Sequence, residues 1–116
     1  MPRRRGRGSG YESFVARLLE SKGYYGIERN IVRSYGEIDI VAWHAGRRYV
    51  FEVKHRPSKP VTRSEVEKLA RKAGRARAIP VLVLSYETGI TTAAQRLARQ
   101  LGVKIRRVRY GYYDWL

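Results

Sequence analysis

The chain has 116 residues, of which 43% are hydrophobic and none is cysteine; this composition allows one domain with its own core and excludes disulfides and cysteine-based zinc sites. Twenty-five Lys and Arg residues against ten acids give a net charge of +15, which favours a polyanionic partner. The apolar runs are only strand-sized, and no apolar segment follows the basic N-terminus, so we expect a cytoplasmic protein that binds nucleic acid and not a membrane. Basic ribosomal proteins share these properties, so charge alone does not indicate an enzyme.

The N-terminal segment is rich in arginine and glycine. Residues 1–10 are predicted to form a disordered tail, and residues 11–116 a single domain. The tail is either a solubilising segment or an arm that grips phosphates; its basic residues are Arg3, Arg4, Arg5 and Arg7. Apolar residues at helical spacing then predict a helix over 11–22, with Gly23 as its C-terminal cap.

Strands and helices alternate along the rest of the chain. A strand is predicted over 24–32, followed by a hairpin of strands over 37–44 and 47–54. Capping-box patterns begin at Thr62 and Thr92 and predict two further helices. The remaining elements are a helix over 62–78, a buried strand over 80–85, a helix over 92–101 and a strand over 103–110. This order predicts an α/β fold with a mixed central sheet and helices on its faces.

Two acids, Asp39 and Glu52, lie inside otherwise apolar strands. A buried carboxylate is costly unless a bound cation, a lysine or both compensate it. If the hairpin turn consists of residues 45–46, Asp39 lies directly opposite Glu52, and Glu37 lies opposite Lys54 on the same face of the sheet. Like charges in that position repel. A divalent cation such as Mg²⁺ or Mn²⁺, which prefers hard oxygen ligands, converts this repulsion into binding.

Lys54 follows Glu52 by two residues and therefore points to the same face. Its ammonium group can orient a water and stabilise negative charge on a phosphate, and metal, water and lysine together suit phosphodiester hydrolysis. The alternative is a structural salt-bridge cluster of Asp39, Glu52 and Lys54. Glu12 lies at the edge of the buried face of the first helix. It either leans toward the metal or is a first-turn glutamate favoured by the helix dipole.

The segments GEIDIVA at 36–42 and FEVK at 51–54 resemble the core of the PD-(D/E)xK nuclease superfamily. Two branches are similar: the archaeal Holliday-junction resolvases, and the YraN-type family of small predicted nucleases. The resemblance covers roughly residues 10–85. It implies a restriction-endonuclease-like αβββαβ core, which a C-terminal helix and strand extend in this chain. Ile38 stands where the superfamily's name has proline.

The resemblance also implies the roles of the site residues. Asp39, Glu52 and the backbone carbonyl of Val53 are expected to bind Mg²⁺, for which Mn²⁺ can substitute. Lys54 is expected to be the catalytic lysine, and Glu12 the helix acid of the resolvase branch. The helix and strand after residue 91 extend beyond a minimal resolvase, so the choice of substrate can differ.

Basic residues at helical spacing form one face of the second predicted helix, either a solvated face or a phosphate-binding track. These residues are Lys68, Arg71, Lys72 and Arg75. A second basic cluster comprises Arg96, Arg99, Arg106, Arg107 and Arg109, and the aromatic residues Tyr112, Tyr113 and Trp115 of the C-terminal tail can stack on exposed bases.

These patterns lead to three functional hypotheses. The first is a Mg²⁺-dependent endodeoxyribonuclease that hydrolyses phosphodiester bonds in structured or branched DNA, as in recombination and repair. Such an enzyme is expected to act as a homodimer, because cutting a junction requires two sites. The second is a non-catalytic RNA- or DNA-binding protein, for example a ribosome-associated one, built on a nuclease fold. The third is a nuclease domain that works alongside a helicase or recombination partner.

Overall fold

The computed structural model describes residues 8–113, and within them helices and strands follow the predicted order. The elements are α1 (Gly8–Ser21), β1 (Tyr25–Arg33), β2 (Gly36–His44), β3 (Arg47–Lys54), α2 (Arg63–Ala76), β4 (Ile79–Leu84), α3 (Thr92–Leu101) and β5 (Lys104–Arg107). Arginines 3, 4, 5 and 7 of the predicted tail lie outside the described residues. No helix in the described part of the chain is long and apolar enough to cross a bilayer.

The five strands form one mixed sheet in the order β1-β2-β3-β4-β5. The first three strands pair antiparallel, whereas β4 pairs parallel to β3 and β5 pairs parallel to β4. The sheet therefore places β3 at its centre, as its apolar sequence predicts. Lys54 is in register with Leu84, and Leu84 with Arg107, so the carboxyl ends of β3, β4 and β5 lie at one edge.

Helices cover both faces of the sheet, because each helix has one apolar stripe that must be buried. α1 packs on one face through Tyr11, Phe14, Val15, Leu18 and Leu19, against Ile40, Ala42, Phe51, Val81 and Val83. α2 and α3 pack on the other through Val66, Leu69, Ala94 and Leu97, against Val41, Val50, Leu82 and Leu84. The α/β fold with a mixed central sheet is thus confirmed.

Several boundaries differ from the prediction. The first helix begins at Gly8, inside the segment predicted to be a disordered tail. Glycine and serine are poor helix formers, so the pattern gave no sign of this extra turn; here Gly10 leaves room for the hydroxyl of Tyr110, which would lie 3.0 Å from an added Cβ. Gly23 follows the helix with a φ of +92°, in the predicted capping position.

The N-terminal caps of α2 and α3 can be compared with the two predicted capping boxes. The box of Thr62 and Glu65 is confirmed at the start of α2. The box predicted to begin at Thr92 is wrong, because the capping residue is Thr91, whose hydroxyl accepts from the amide of Ala94 at 3.0 Å. The final strand is shorter than predicted and ends at Arg107.

Candidate active site

The strands β2 and β3 separate at the two predicted acids. Their pairing runs from His44–Arg47 to Ile40–Phe51, which is the register expected for a two-residue turn. Asp39 and Glu52 are the next residues beyond the paired stretch. There the amide of Val53 donates to Oδ2 of Asp39 at 2.9 Å. A carboxylate thus accepts a hydrogen bond that a strand carbonyl accepts in a regular ladder.

The electrostatics of Asp39 connect all four predicted catalytic residues. Burial raises the pKa of this carboxyl from 3.8 to about 7, with the charge of Glu52 as the second cause. The Val53 amide acts in the opposite direction, the charge of Glu12 raises the pKa further, and Lys54 lowers it. A cation at this point relieves both the desolvation and the repulsion. The structure therefore brings together the residues that the sequence singled out.

Lys54 lies between two carboxylates. Its Nζ is 3.1 Å from Oε2 of Glu52 and 3.5 Å from Oε2 of Glu65. Glu65 is also bound by the guanidinium of Arg56 and by the amide of Thr62. Desolvation raises the pKa of Glu65, but these partners outweigh it and lower the pKa to about 2. The sequence identified Glu65 only as a capping residue, whereas the structure also makes it a partner of Lys54.

The sequence predicts that Lys72 shares one basic face of α2 with Lys68, Arg71 and Arg75, and this placement is wrong. Its contact with nucleic acid stays a prediction. Its Nζ donates to the backbone carbonyl of Glu37 at 2.6 Å and lies 3.9 Å from Oε1 of Glu52. The side chain is 19% exposed, against 61% for Arg71. Residues seven apart lie on the same side of a helix, so once the structure shows that Glu65 contacts Lys54, the spacing explains why Lys72 also faces the site.

Glu12 is buried in α1 and forms an ion pair with Arg29 of β1, whose Nη2 lies 3.3 Å from Oε1 of Glu12. The structure therefore places this acid close enough to influence Asp39, but it also supplies a cation that the sequence prediction missed. Arg29 is in register with Ile40, the neighbour of Asp39. The ion pair offsets the cost of burying the glutamate.

The donor set around Asp39 matches what Mg²⁺ uses in proteins. Among residues 8–113, no three or more histidine, cysteine, aspartate or glutamate side chains cluster as a metal site. Mg²⁺, however, is commonly bound by one or two carboxylates, with waters and substrate phosphates completing its shell. The amide of Val53 points toward β2, and in a strand the carbonyl of the same residue points to the same side. Two carboxylates and one carbonyl thus fit such an ion.

A buried polar network fixes the edge of the sheet beside the site. The amide of Ser85 donates to the carbonyl of Lys54 at 3.1 Å, and the hydroxyl of Ser85 lies 2.9 Å from Nδ1 of His55. Arg107 donates to the carbonyls of Ser85 and Thr88 at 2.8 and 2.6 Å. Arg107, which the sequence placed in the second basic cluster, therefore links the end of β5 to the residues that follow β4.

Next to this network, Tyr86, Arg109 and Tyr112 form an exposed group of planar side chains. The guanidinium carbon of Arg109 lies 4.8 Å from the ring centre of Tyr86 and 4.5 Å from that of Tyr112. Both tyrosines are about half exposed. Tyr86 directly follows Ser85, so this group lies at the same edge of the sheet as Lys54. Trp115, predicted to belong to the same aromatic tail, lies outside the described residues.

Comparison with known sequences identifies the family. The model of the Uncharacterised protein family UPF0102 matches residues 11–80, which include most of α1, the hairpin and α2. The chain belongs to this family. UPF0102 is the YraN-type family, one of the two branches that the motifs resemble. A UPF0102 protein of Aquifex aeolicus is 42% identical in an alignment over 71 residues that covers 58% of this chain and 69% of that protein. One of Thermotoga petrophila is 44% identical over 61 residues, covering 50% and 56%.

Solved structures share the fold at low sequence identity. The chain superposes on a protein of unknown function, AF1548, with a TM-score of 0.72 and 23% identity, over 90% of this chain and 60% of the other. For a repair endonuclease from Pyrococcus abyssi the TM-score is 0.68 and the identity 17%, over 94% and 49%. For EndoMS in a complex with double-stranded DNA they are 0.68 and 18%, over 97% and 50%. The chain spans about half the length of the two latter proteins, and the predicted restriction-endonuclease-like core is confirmed.

Proposed function

We propose that this protein is a metal-dependent nuclease that hydrolyses phosphodiester bonds in DNA. The observation that carries the proposal is the meeting of Asp39 and Glu52 where β2 and β3 separate, with Lys54 Nζ 3.1 Å from Glu52. The net charge of +15 suits a polyanionic substrate. The similarity in fold to a repair endonuclease and to EndoMS bound to double-stranded DNA also supports the proposal of a nuclease that acts on DNA.

Each residue of the site has its own role in the proposed reaction. Asp39, Glu52 and the carbonyl of Val53 would hold Mg²⁺, or Mn²⁺ in its place. When bound, the metal lowers the pKa of the attacking water and neutralises charge on the phosphate. Lys54, oriented by Glu52 and Glu65, positions that water and stabilises the negative charge that develops on the phosphate oxygens. Because this lysine is held on two sides, little reorganisation accompanies the reaction.

Glu12 influences Asp39 through its negative charge. Burial and then Glu52 are the main causes of the raised pKa of Asp39, and the negative charge of Glu12 raises this pKa further. The same negative charge favours a cation at the site. Arg29 holds Glu12 in this position through their 3.3 Å ion pair. Glu12 is thus proposed as an electrostatic contributor to the metal site.

The surfaces around the site favour structured DNA as the substrate. Lys68, Arg71 and Arg75 lie exposed on α2 and are suited to contact phosphates without reading sequence. The exposed rings of Tyr86 and Tyr112 are suited to stack on unpaired bases. Both features fit branched DNA, such as a Holliday junction, and the arginines at positions 3, 4, 5 and 7 add positive charge. A two-fold homodimer supplies the two sites that junction cleavage requires.

The test is a cleavage assay with Mg²⁺ or Mn²⁺ on four-way junction, flap, single-stranded and duplex DNA, and on RNA of matched shape. Asp39→Asn and Lys54→Met are expected to reduce cleavage on the order of 100-fold or more while leaving DNA binding largely intact. Lys104→Met, which removes an exposed lysine at the start of β5, is the matched control and should cut normally. Equal inactivity of wild type and variants on every substrate would overturn the proposal.

One observation favours the alternative of a non-catalytic RNA- or DNA-binding protein. Glu52 already contacts two lysines, Lys54 and Lys72, as in a structural ion-pair cluster. The raised pKa of Asp39 opposes this alternative, because a cluster built only for stability gains nothing from a carboxylate that burial and its neighbours destabilise. If the protein binds nucleic acid tightly but cuts none, the alternative stands.

A further inference from the structure

Two ammonium groups face the two oxygens of one proposed metal ligand. Nζ of Lys54 lies 3.1 Å from Oε2 of Glu52, and Nζ of Lys72 lies 3.9 Å from Oε1. Lys54 belongs to the same strand as Glu52, whereas Lys72 reaches the site from α2. A cation that binds Glu52 must therefore compete with at least one of these lysines.

The strand β2 is shaped to admit Lys72. A Cβ atom at Gly36 would lie 3.0 Å from Cε of Lys72, and Gly36 has a φ of +130° that other residues rarely adopt. Immediately after it, the carbonyl of Glu37 accepts from the ammonium at 2.6 Å. A lysine of a solvated helix face requires neither the glycine nor the carbonyl, so this position of Lys72 has a specific structural basis.

The two lysines are held unequally. Lys54 contacts two carboxylates, and one of them, Glu65, is fixed by Arg56 and by the amide of Thr62. Lys72 contacts a carbonyl closely but Glu52 only at 3.9 Å. Its four-carbon side chain is flexible and its ammonium is a compact charge. A divalent cation at Glu52 therefore displaces Lys72 more readily than Lys54.

We propose that Lys72 is a second active-site lysine, which neutralises Glu52 in the metal-free protein and turns to the substrate phosphate when a divalent cation takes its place. The inference rests on the proposed nuclease function and adds to it a catalytic residue that contacts the substrate. Glu52 then faces a cation in both states, which is Lys72 in the metal-free protein and the divalent metal ion after binding. Removal of the Lys72 ammonium group is therefore expected to strengthen metal binding and to slow cleavage.

The first measurement is Mn²⁺ affinity by isothermal titration calorimetry without DNA. Lys72→Met is expected to tighten Mn²⁺ binding about five- to tenfold, because it removes a positive charge about 4 Å from a ligand oxygen. Lys72→Arg keeps a cation there and should bind Mn²⁺ about as weakly as wild type. Lys68→Met, one turn earlier on the exposed side of α2, is the control and should not change the affinity. Unchanged or weaker Mn²⁺ binding by a folded Lys72→Met protein overturns the inference.

The second measurement is single-turnover DNA cleavage at saturating Mn²⁺. Lys72→Met should cut on the order of 100-fold more slowly, because the phosphate loses a charged donor, and Lys72→Arg should recover part of the rate. If wild type cuts and Lys72→Met cuts equally fast, the role of Lys72 at the phosphate is refuted and the nuclease function stands. If wild type cuts no substrate, the nuclease function and the phosphate role are refuted together, while the calorimetry still decides whether Lys72 competes with the metal.

Discussion

Replacing Asp39 with asparagine is expected to remove a pH dependence of stability from the metal-free protein. The pKa of this carboxyl is raised in the folded protein from 3.8 to about 7, chiefly by burial and then by Glu52. Between these two values the folded state binds more protons than the unfolded state, so the free energy of unfolding falls as pH rises. One pKa unit corresponds to about 1.4 kcal/mol, so the loss amounts to at most about 4 kcal/mol across this interval.

The assay is urea unfolding, followed by far-UV circular dichroism in the presence of EDTA, at several pH values between about 4 and 7. Asparagine keeps a side-chain oxygen that can accept the hydrogen bond from the amide of Val53, so the substitution removes the titration and preserves the contact. The difference between wild type and Asp39→Asn should therefore grow steadily with pH and favour the variant near pH 7. Parallel stability curves for the two proteins would refute the raised pKa, and with it the electrostatic case for a cation site.

Three further predictions address other parts of the site. The pKa of Glu65 is lowered from 4.5 to about 2, so the stability that its charge contributes is present above pH 4.5 and is lost as pH falls toward 2. In thermal melts over this acid range, the melting temperature of Glu65→Gln should therefore fall less steeply than that of wild type. Arg29→Met leaves Glu12 buried without its 3.3 Å partner and should lower the free energy of unfolding by about 2 kcal/mol, an expectation that unaltered urea denaturation would contradict. Tyr86→Leu should weaken binding of single-stranded DNA about fivefold or more in fluorescence anisotropy and spare duplex binding, whereas Tyr25→Leu, at an exposed site on β1, should affect neither.

The hairpin of the site was predictable because its determinants are local. Ala45 and Gly46 adopt the positive φ values of a two-residue turn, and a turn of that length fixes which residues of the two strands face each other. Asp39 and Glu52 had to meet once that register was set. The apolar sequence around Glu52 also indicated a central strand, since only a strand covered on both faces tolerates it.

The remaining contacts of the site depend on how α2 docks, which its own sequence does not specify. The apolar stripe of Val66, Leu69 and Ala73 shows which side of the helix is buried. It does not show which flank of that stripe meets the carboxylates, so Lys72 was grouped with the outward lysines and arginines. Arg29 was missed for a similar reason, because its partner Glu12 lies on a helix of another layer.

The order of the strands has a consequence for how the molecule folds. β1, β2 and β3 are neighbours both in the chain and in the sheet, so they join as an antiparallel meander through short turns with a small loss of chain entropy. β4 joins β3 only after the crossover through α2, and such non-local pairing forms slowly. We therefore expect Asp39 and Glu52 to come together early, in a meander that still lacks α2, and Lys72 to arrive afterwards.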